Sequence, residues 1–194
     1  LIPGTSVLAN KLGLTTSAEL RDAENDLLEA RVAELRASPL IVRQTFDAAH
    51  LCGLHRQLFQ DVYEWAGQLR KVGISRNGES FVPPSNIMQP LSHFAQRIAE
   101  SNRLADVTEA GLAAEIAYLY DYANYAHPFR EGNGRTQREF FDQLLACSGR
   151  GLAWDTIDMK RLHEACHQAR KEVDSDLGLL EQLFADLLTD DPAY

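Results

Sequence analysis

A chain of 194 residues with 45% hydrophobic content suits one compact domain with a sizeable core, so no second domain is required. A formal charge of −9 and a pI near 5.1 argue against a nucleic-acid binder relying on overall positive charge, and acidity is otherwise an ordinary solubility device. No apolar run approaches the roughly 20 residues of a membrane span, no cleavable signal pattern opens the chain, and Cys52, Cys147 and Cys166 lack C-x-x-C spacing, which reads as free thiols in a reducing compartment, two of them buried on apolar helix faces.

The chain begins at Leu1, not Met, so a piece of a longer protein is one expectation. Residues 1–17 read as loop, with Pro3, Gly4 and Gly13. An amphipathic helix is expected over about 18–37, carrying Leu20, Leu27, Leu28, Val32 and Leu35. Ser38-Pro39 is a cap-plus-first-turn signal, and Phe46, Leu51, Leu54, Leu58, Val62 and Trp65 mark a second helix ending near Gly67. His50 and His55 lie on it and read as structural or solvent-facing, since no carboxylate or cysteine stands at ligand spacing. From Lys71 to Val82 the pattern changes. Val72, Gly73 and Ile74, then Arg76-Asn77-Gly78-Glu79, then Phe81 and Val82 spell a hairpin closed by Pro83-Pro84.

Helical periodicity returns over Ser85 to Arg103, and again after Thr108 through Leu112, Ile116, Leu119, Tyr120 and Ala123. Tyr118, Tyr122 and Tyr125 at this spacing read as packing. Arg135 to Cys147 places Phe140, Phe141, Leu144 and Leu145 on one helical face; Ser148 to Gly151 stops it. Two further helices are expected over 155–172 and about 176–188, the first opened by Asp155 and Asp158, with residues 189–194 fraying. The architecture expected is all-α, six to eight helices with one small β-hairpin.

Between the fourth helix and the Arg135 helix lies the run His127-Pro128-Phe129-Arg130-Glu131-Gly132-Asn133-Gly134-Arg135-Thr136-Gln137-Arg138. A glycine-rich turn that opens a helix offers unpaired backbone N–H groups and the positive end of the macrodipole, an anion site suited to phosphate. Arg135 and Arg138, three apart on a helix, can both reach phosphate oxygens. Glu131 could hold a hard cation bridging those oxygens. His127 is the group suited to take a proton near neutral pH. Singly, each has an ordinary reading as packed histidine, turn or wet helix face. Their coincidence in one short run favours chemistry.

The run resembles the signature of the Fic family, His-x-Phe-x-Asp/Glu-Gly-Asn-Gly-Arg-x-x-Arg, with every specified position filled. The resemblance extends in order and spacing over about 40–170. It implies the Fic fold and a protein adenylyltransferase that moves AMP from ATP, with Mg²⁺, to a hydroxyl side chain of a target protein. His127 would be the catalytic base. Gly132, the Asn133 amide and Gly134 would bind phosphate, Arg135 and Arg138 would hold the distal phosphates, Glu131 would ligate the metal, and Phe129 would anchor the loop. The hairpin corresponds to the family's flap, which aligns a target segment by strand addition, here along Val72 to Ile74 or Phe81. Doc-type kinases of the family have lysine where this chain has Gly134, so glycine favours AMP transfer, with phosphate transfer or a non-catalytic phosphate-docking module as alternatives.

Fic proteins are commonly silenced by a helix bearing Ser/Thr-x-x-x-Glu-Gly/Asn, whose glutamate pairs with the second motif arginine. Only Glu24 and Glu131 are followed by Gly or Asn; Leu20 stands four residues before Glu24, and Glu131 belongs to the motif. Inhibition in trans is therefore expected, from a small antitoxin presenting a glutamate to Arg138, with a degenerate internal version around Glu24 as the alternative. The resemblance points to a toxin or effector located in the bacterial cytoplasm, or secreted into a host cell. Toxin relatives modify type II topoisomerases and effector relatives modify host GTPases.

Overall fold

The computed structural model describes residues 1–76, 78–171 and 176–194. Among them stand seven α-helices: α1 Ser17–Ala37, α2 Ala48–Phe59, α3 Met88–Glu100, α4 Glu109–Ala126, α5 Asn133–Ala146, α6 Met159–Ala169 and α7 Gly178–Leu187. The antiparallel hairpin is β1 Ser75–Arg76 with β2 Glu79–Ser80. A second antiparallel pair, β3 Gly151–Leu152 with β4 Leu188–Thr189, ties the end of α7 to the chain after α5. The expected fold class is observed. The second strand pair is an addition, and it corrects the expectation of a fraying tail: Tyr194 also donates a hydrogen bond to Glu139.

Several boundaries move for local reasons. Pro39 opens only a single 3-10 turn, Pro39–Ile41, because the α2 cap comes later, where Asp47 accepts from His50 N–H at 3.1 Å. The residues from Gln60 to Gly67 form turns that fold Trp65 back towards α2, and Gly67 takes φ +82. Likewise, Pro84–Asn86 is a 3-10 turn before α3, and Trp154–Thr156 one before α6, whose cap is Asp158. The Asn77-Gly78 turn cue falls partly on Asn77, which lies outside the described residues, as does Glu172 at the expected end of the sixth helix; Gly78 has φ +86.

α4 is the central rod, packed against α3, α5, α6 and α7, while α2 joins α1, α3 and α5. Phe140, Phe141, Leu144 and Leu145 of α5 are fully buried, and the Phe94 ring of α3 meets those of Phe140 and Phe141. Each such side chain contributes about 1.5–3 kcal/mol through burial. α5 is thus anchored along its length, which fixes its N-terminus, where the motif turn sits. His50 and His55 are both fully buried, which removes the solvent-facing reading. Of the thiols, Cys147 is exposed, while Cys52 and Cys166 are half-buried, and none of the three is in a disulfide.

Candidate active site

α4 ends by leaving the helix at His127, which adopts the left-handed conformation (φ 38, ψ 60) while its N–H still bonds to Ala123 C=O. His127 Nδ1 lies 3.2 Å from Asn124 C=O. A carbonyl only accepts, so Nδ1 carries the proton and Nε2 keeps its lone pair. Burial holds His127 neutral, pushing its pKa down to about 4, with Arg70 and Arg76 adding in the same direction against the Asn124 hydrogen bond. The Phe81 ring of the hairpin stacks on the imidazole at 3.8 Å between centroids and 16° between planes.

The loop from Pro128 to Gly132 is held at separate points. Asn133 Oδ1 accepts from Phe129 N–H and its Nδ2 donates to Phe129 C=O, both at 2.8 Å. That commits the Asn133 side chain to the loop's own backbone and corrects the expectation that its amide faces phosphate. Its main-chain N–H is what it offers. Phe129 is buried and stacks on His55 at 3.9 Å. His55 takes a hydrogen bond from Gly67 N–H at Nδ1, so Nε2–H donates to Glu131 C=O at 3.0 Å. Burial keeps this histidine neutral too, near about 4. His55 therefore supports the motif loop.

Gly132 caps the start of α5; its φ of 79 suits glycine, and a Cβ there would lie 2.5 Å from the Phe59 ring. The first backbone bond of the helix runs from Thr136 N–H to Gly132 C=O. N–H groups of the preceding turn have no carbonyl of their own helix to bond, which makes this end attractive to an anion. Gly134 is exposed, and a Cβ would meet nothing within 4 Å. Glu131 Oε1 accepts from Gly132 N–H at 3.0 Å and faces Arg135 at 3.4 Å, while Oε2 takes no hydrogen bond among the described residues.

The two motif arginines diverge, contrary to the expectation of one shared face pointed at phosphate. Arg135 pairs with Glu24 of α1 and lies over the Phe59 ring at 4.9 Å. Arg138 lies over Trp154 at 5.5 Å, donates weakly to Met159 Sδ at 2.8 Å, and forms no ion pair among the described residues. A buried carboxylate, Glu24, drew the first arginine away. Arg138 remains turned towards α6, where burial and the charges of Arg76 and Arg138 hold His163 below its ordinary value.

Beside this loop stands the hairpin. Val72 is half-exposed, Ile74 C=O accepts from Phe81 N–H at 3.2 Å, and Gly73 has open space around its Cα. Val82 N–H reaches Tyr125 C=O at 3.4 Å. Sequence reasoning missed Arg70 and Tyr63, which support this region, and had His55 as structural or solvent-facing and Glu24 as the centre of a degenerate inhibitory motif, without their contacts to the loop.

Comparison with known proteins agrees with this construction. The model of the Fic/DOC family matches residues 45–145. The "Probable protein adenylyltransferase Fic" of Salmonella typhimurium is 32% identical over 184 residues, 95% of this chain and 88% of its own length. "Protein adenylyltransferase VbhT" of Bartonella schoenbuchensis is 33% identical over 84% of this chain but only 34% of its own length. Among solved structures, the BepC protein of Bartonella tribocorum, described as a VirB-translocated effector with bound AMPPNP, superposes with TM-score 0.87 at 26% identity, over 97% of this chain and 95% of the other. With the family model matching residues 45–145 and a relative 32% identical over 95% of the chain, this chain belongs to the Fic/DOC family.

Proposed function

We propose that this chain is a protein adenylyltransferase that transfers AMP from ATP to a hydroxyl side chain of a target protein and releases pyrophosphate. The observation that carries this reading is the neutral His127, with Nδ1 spent on Asn124 C=O and Nε2 left as the acceptor, next to a helix N-terminus opened by glycines. His127 Nε2 takes the hydroxyl proton as the oxygen attacks the α-phosphorus, and the P–O bond to pyrophosphate breaks. Backbone N–H groups of Asn133 and Gly134 bind the phosphate oxygens, as the α5 terminus is built to do, and that of Gly132 joins them only by leaving Glu131 Oε1. The open space at Gly134 leaves room for the α-phosphate to meet the nucleophile. Arg138, whose partners among the described residues are a ring and a thioether, can turn to the distal phosphates. Arg135 reaches them only by leaving Glu24.

Mg²⁺ fits here through one carboxylate. Glu131 is half-exposed with Oε2 uncommitted, and this cation ordinarily takes one or two carboxylates besides substrate phosphates and waters. It would neutralise charge on the phosphate oxygens. The target segment adds along the hairpin edge at Val72 to Ile74, with Phe81 beside the base.

We further infer a bacterial toxin or effector, restrained by a small antitoxin that offers a carboxylate to Arg138 and acting in the bacterial cytoplasm or a host cell; the description of one solved relative as a VirB-translocated effector supports the effector reading. The test is incubation with Mg²⁺ and ATP labelled at the α- or the γ-phosphate, in bacterial and eukaryotic lysates. Label from the α-position on a protein band, lost with His127→Ala while ATP binding persists, is the expected result. Label from the γ-position alone means a kinase. Undiminished labelling by His127→Ala removes that residue from the mechanism.

A further inference from the structure

Arg70 precedes the hairpin and is 5% exposed, yet it forms no ion pair among the described residues. Its guanidinium is spent on backbone carbonyls. Nε donates to His127 C=O at 2.8 Å, Nη1 to Val72 C=O at 3.0 Å, and Nη2 to Val82 C=O at 2.5 Å and Ala126 C=O at 3.2 Å. Its own N–H donates to Pro128 C=O at 2.8 Å. Two of these carbonyls flank the hairpin and the rest belong to the end of α4 and the turn bearing His127.

An arginine buried without a counter-ion is costly, and packing alone would be served by an apolar side chain. What an apolar chain lacks is the planar fork that binds several acceptors in fixed directions. His127 needs such a hold, because a non-glycine residue in the left-handed region is strained. Among the described residues the direct polar link between hairpin and α4 is otherwise the long Val82–Tyr125 bond.

We propose that Arg70 is a positioning residue for transfer, clamping the base of the target-binding hairpin to the turn that carries His127 so that acceptor and base are placed by one side chain. The proposal rests on the assignment of His127 and the hairpin above. It separates two sub-sites: the acceptor side hangs on Arg70, whereas the nucleotide side hangs on the α5 terminus and His55.

The test compares Arg70→Lys and Arg70→Gln with the wild-type chain, and with Leu183→Ala in α7 as a destabilised control remote from the hairpin. By NMR, the Arg70→Gln chain is expected to lose the Phe81–His127 ring contact and to titrate His127 at higher pH, since a positive charge has gone; the control keeps both. ATP–Mg²⁺ affinity by calorimetry is expected to hold in every variant. With lysate protein as the acceptor mixture, the transfer rate at saturating ATP is expected to fall about 10- to 100-fold in Arg70→Gln, with partial rescue in Arg70→Lys. An intact ring contact and an undiminished rate in Arg70→Gln overturn the proposal, as does equal loss in the Leu183→Ala control. Absence of transfer by the wild type refutes the functional reading, and the NMR comparison then still decides whether Arg70 holds His127.

Discussion

Glu24 of α1 and Arg135 of α5 form an ion pair across two elements far apart in sequence, with Glu24 only 7% exposed in its side chain. Tyr63 donates its hydroxyl to the same carboxylate, and burial with that bond raises the phenol well above its ordinary range. The carboxylate thus engages the first motif arginine, while the second, Arg138, has no acidic partner among the described residues. An internal inhibitor of the family's kind would do the reverse.

Glu24→Gln is therefore expected to cost stability without releasing activity. Removing one charge from a mostly buried pair leaves the other under-satisfied, at about 1–3 kcal/mol. Chemical denaturation measures the loss, and initial transfer rates measure the activity. A several-fold rise in rate would make Glu24 an internal brake and displace the trans partner.

Gly132 and Gly134 look alike in the motif but answer to different constraints. At Gly132 a methyl group would strike Phe59 and the backbone is left-handed, so Gly132→Ala is expected to lower stability by about 1–3 kcal/mol. At Gly134 nothing lies within 4 Å, and Gly134→Ala is expected to change stability by no more than about 0.5 kcal/mol. Its effect should appear in chemistry instead, as a fall of about 10-fold in AMP transfer through crowding of the α-phosphate. Thermal melts and rates of the two variants separate these roles. A destabilised Gly134→Ala would show that glycine is needed there for folding.

Most helices could be read from the chain because their faces are periodic: Phe140, Phe141, Leu144 and Leu145 announce α5, and all four are fully buried. Boundaries slipped where proline looked like a helix start and served a 3-10 turn, as at Pro39. The motif run marks the candidate site by itself. Its support did not, because His55, Arg70 and Glu24 act through contacts with residues 76, 57 and 111 positions away, which no local pattern encodes. Divergence of Arg135 and Arg138 has the same origin, since helical spacing gives a shared face but Glu24 and Trp154 decide where each guanidinium lies.

The pH dependence of transfer should carry the mark of a desolvated base. Burial lowers His127 to about 4, so Nε2 is available as an acceptor across the neutral range. In kcat/KM, which reports the free enzyme, the acidic limb is expected near pH 4 once ATP ionisation is allowed for. An acidic limb close to the ordinary histidine value, about 6.5, would mean that the ring is solvated before substrate binds.

Stability should respond to pH through Asp142, a fully buried carboxylate of α5. Trp154 Nε1 donates to its Oδ1 at 2.7 Å, and Oδ2 finds only Arg36, at 3.8 Å. Burial pushes its pKa up to about 7, with Glu139 adding to the rise and Trp154, Arg36 and Arg138 opposing it. A folded-state value above the unfolded one favours the protonated fold. Its contribution is fully present below the unfolded value of 3.8 and is lost as pH rises through about 7. Asp142→Asn keeps the acceptor for Trp154 and removes the charge that alkaline pH would bury. The variant is therefore expected to melt higher than the wild type at pH 8, by about 2–4 °C for each kcal/mol relieved, with the gap narrowing towards pH 5 and closing only as pH falls to the unfolded value of 3.8. Because the buried histidines titrate in both proteins, the difference between the two melting curves isolates Asp142. A gap that stayed constant from pH 5 to 8, or that widened towards acid, would show that Asp142 is charged in the fold and held by Arg36.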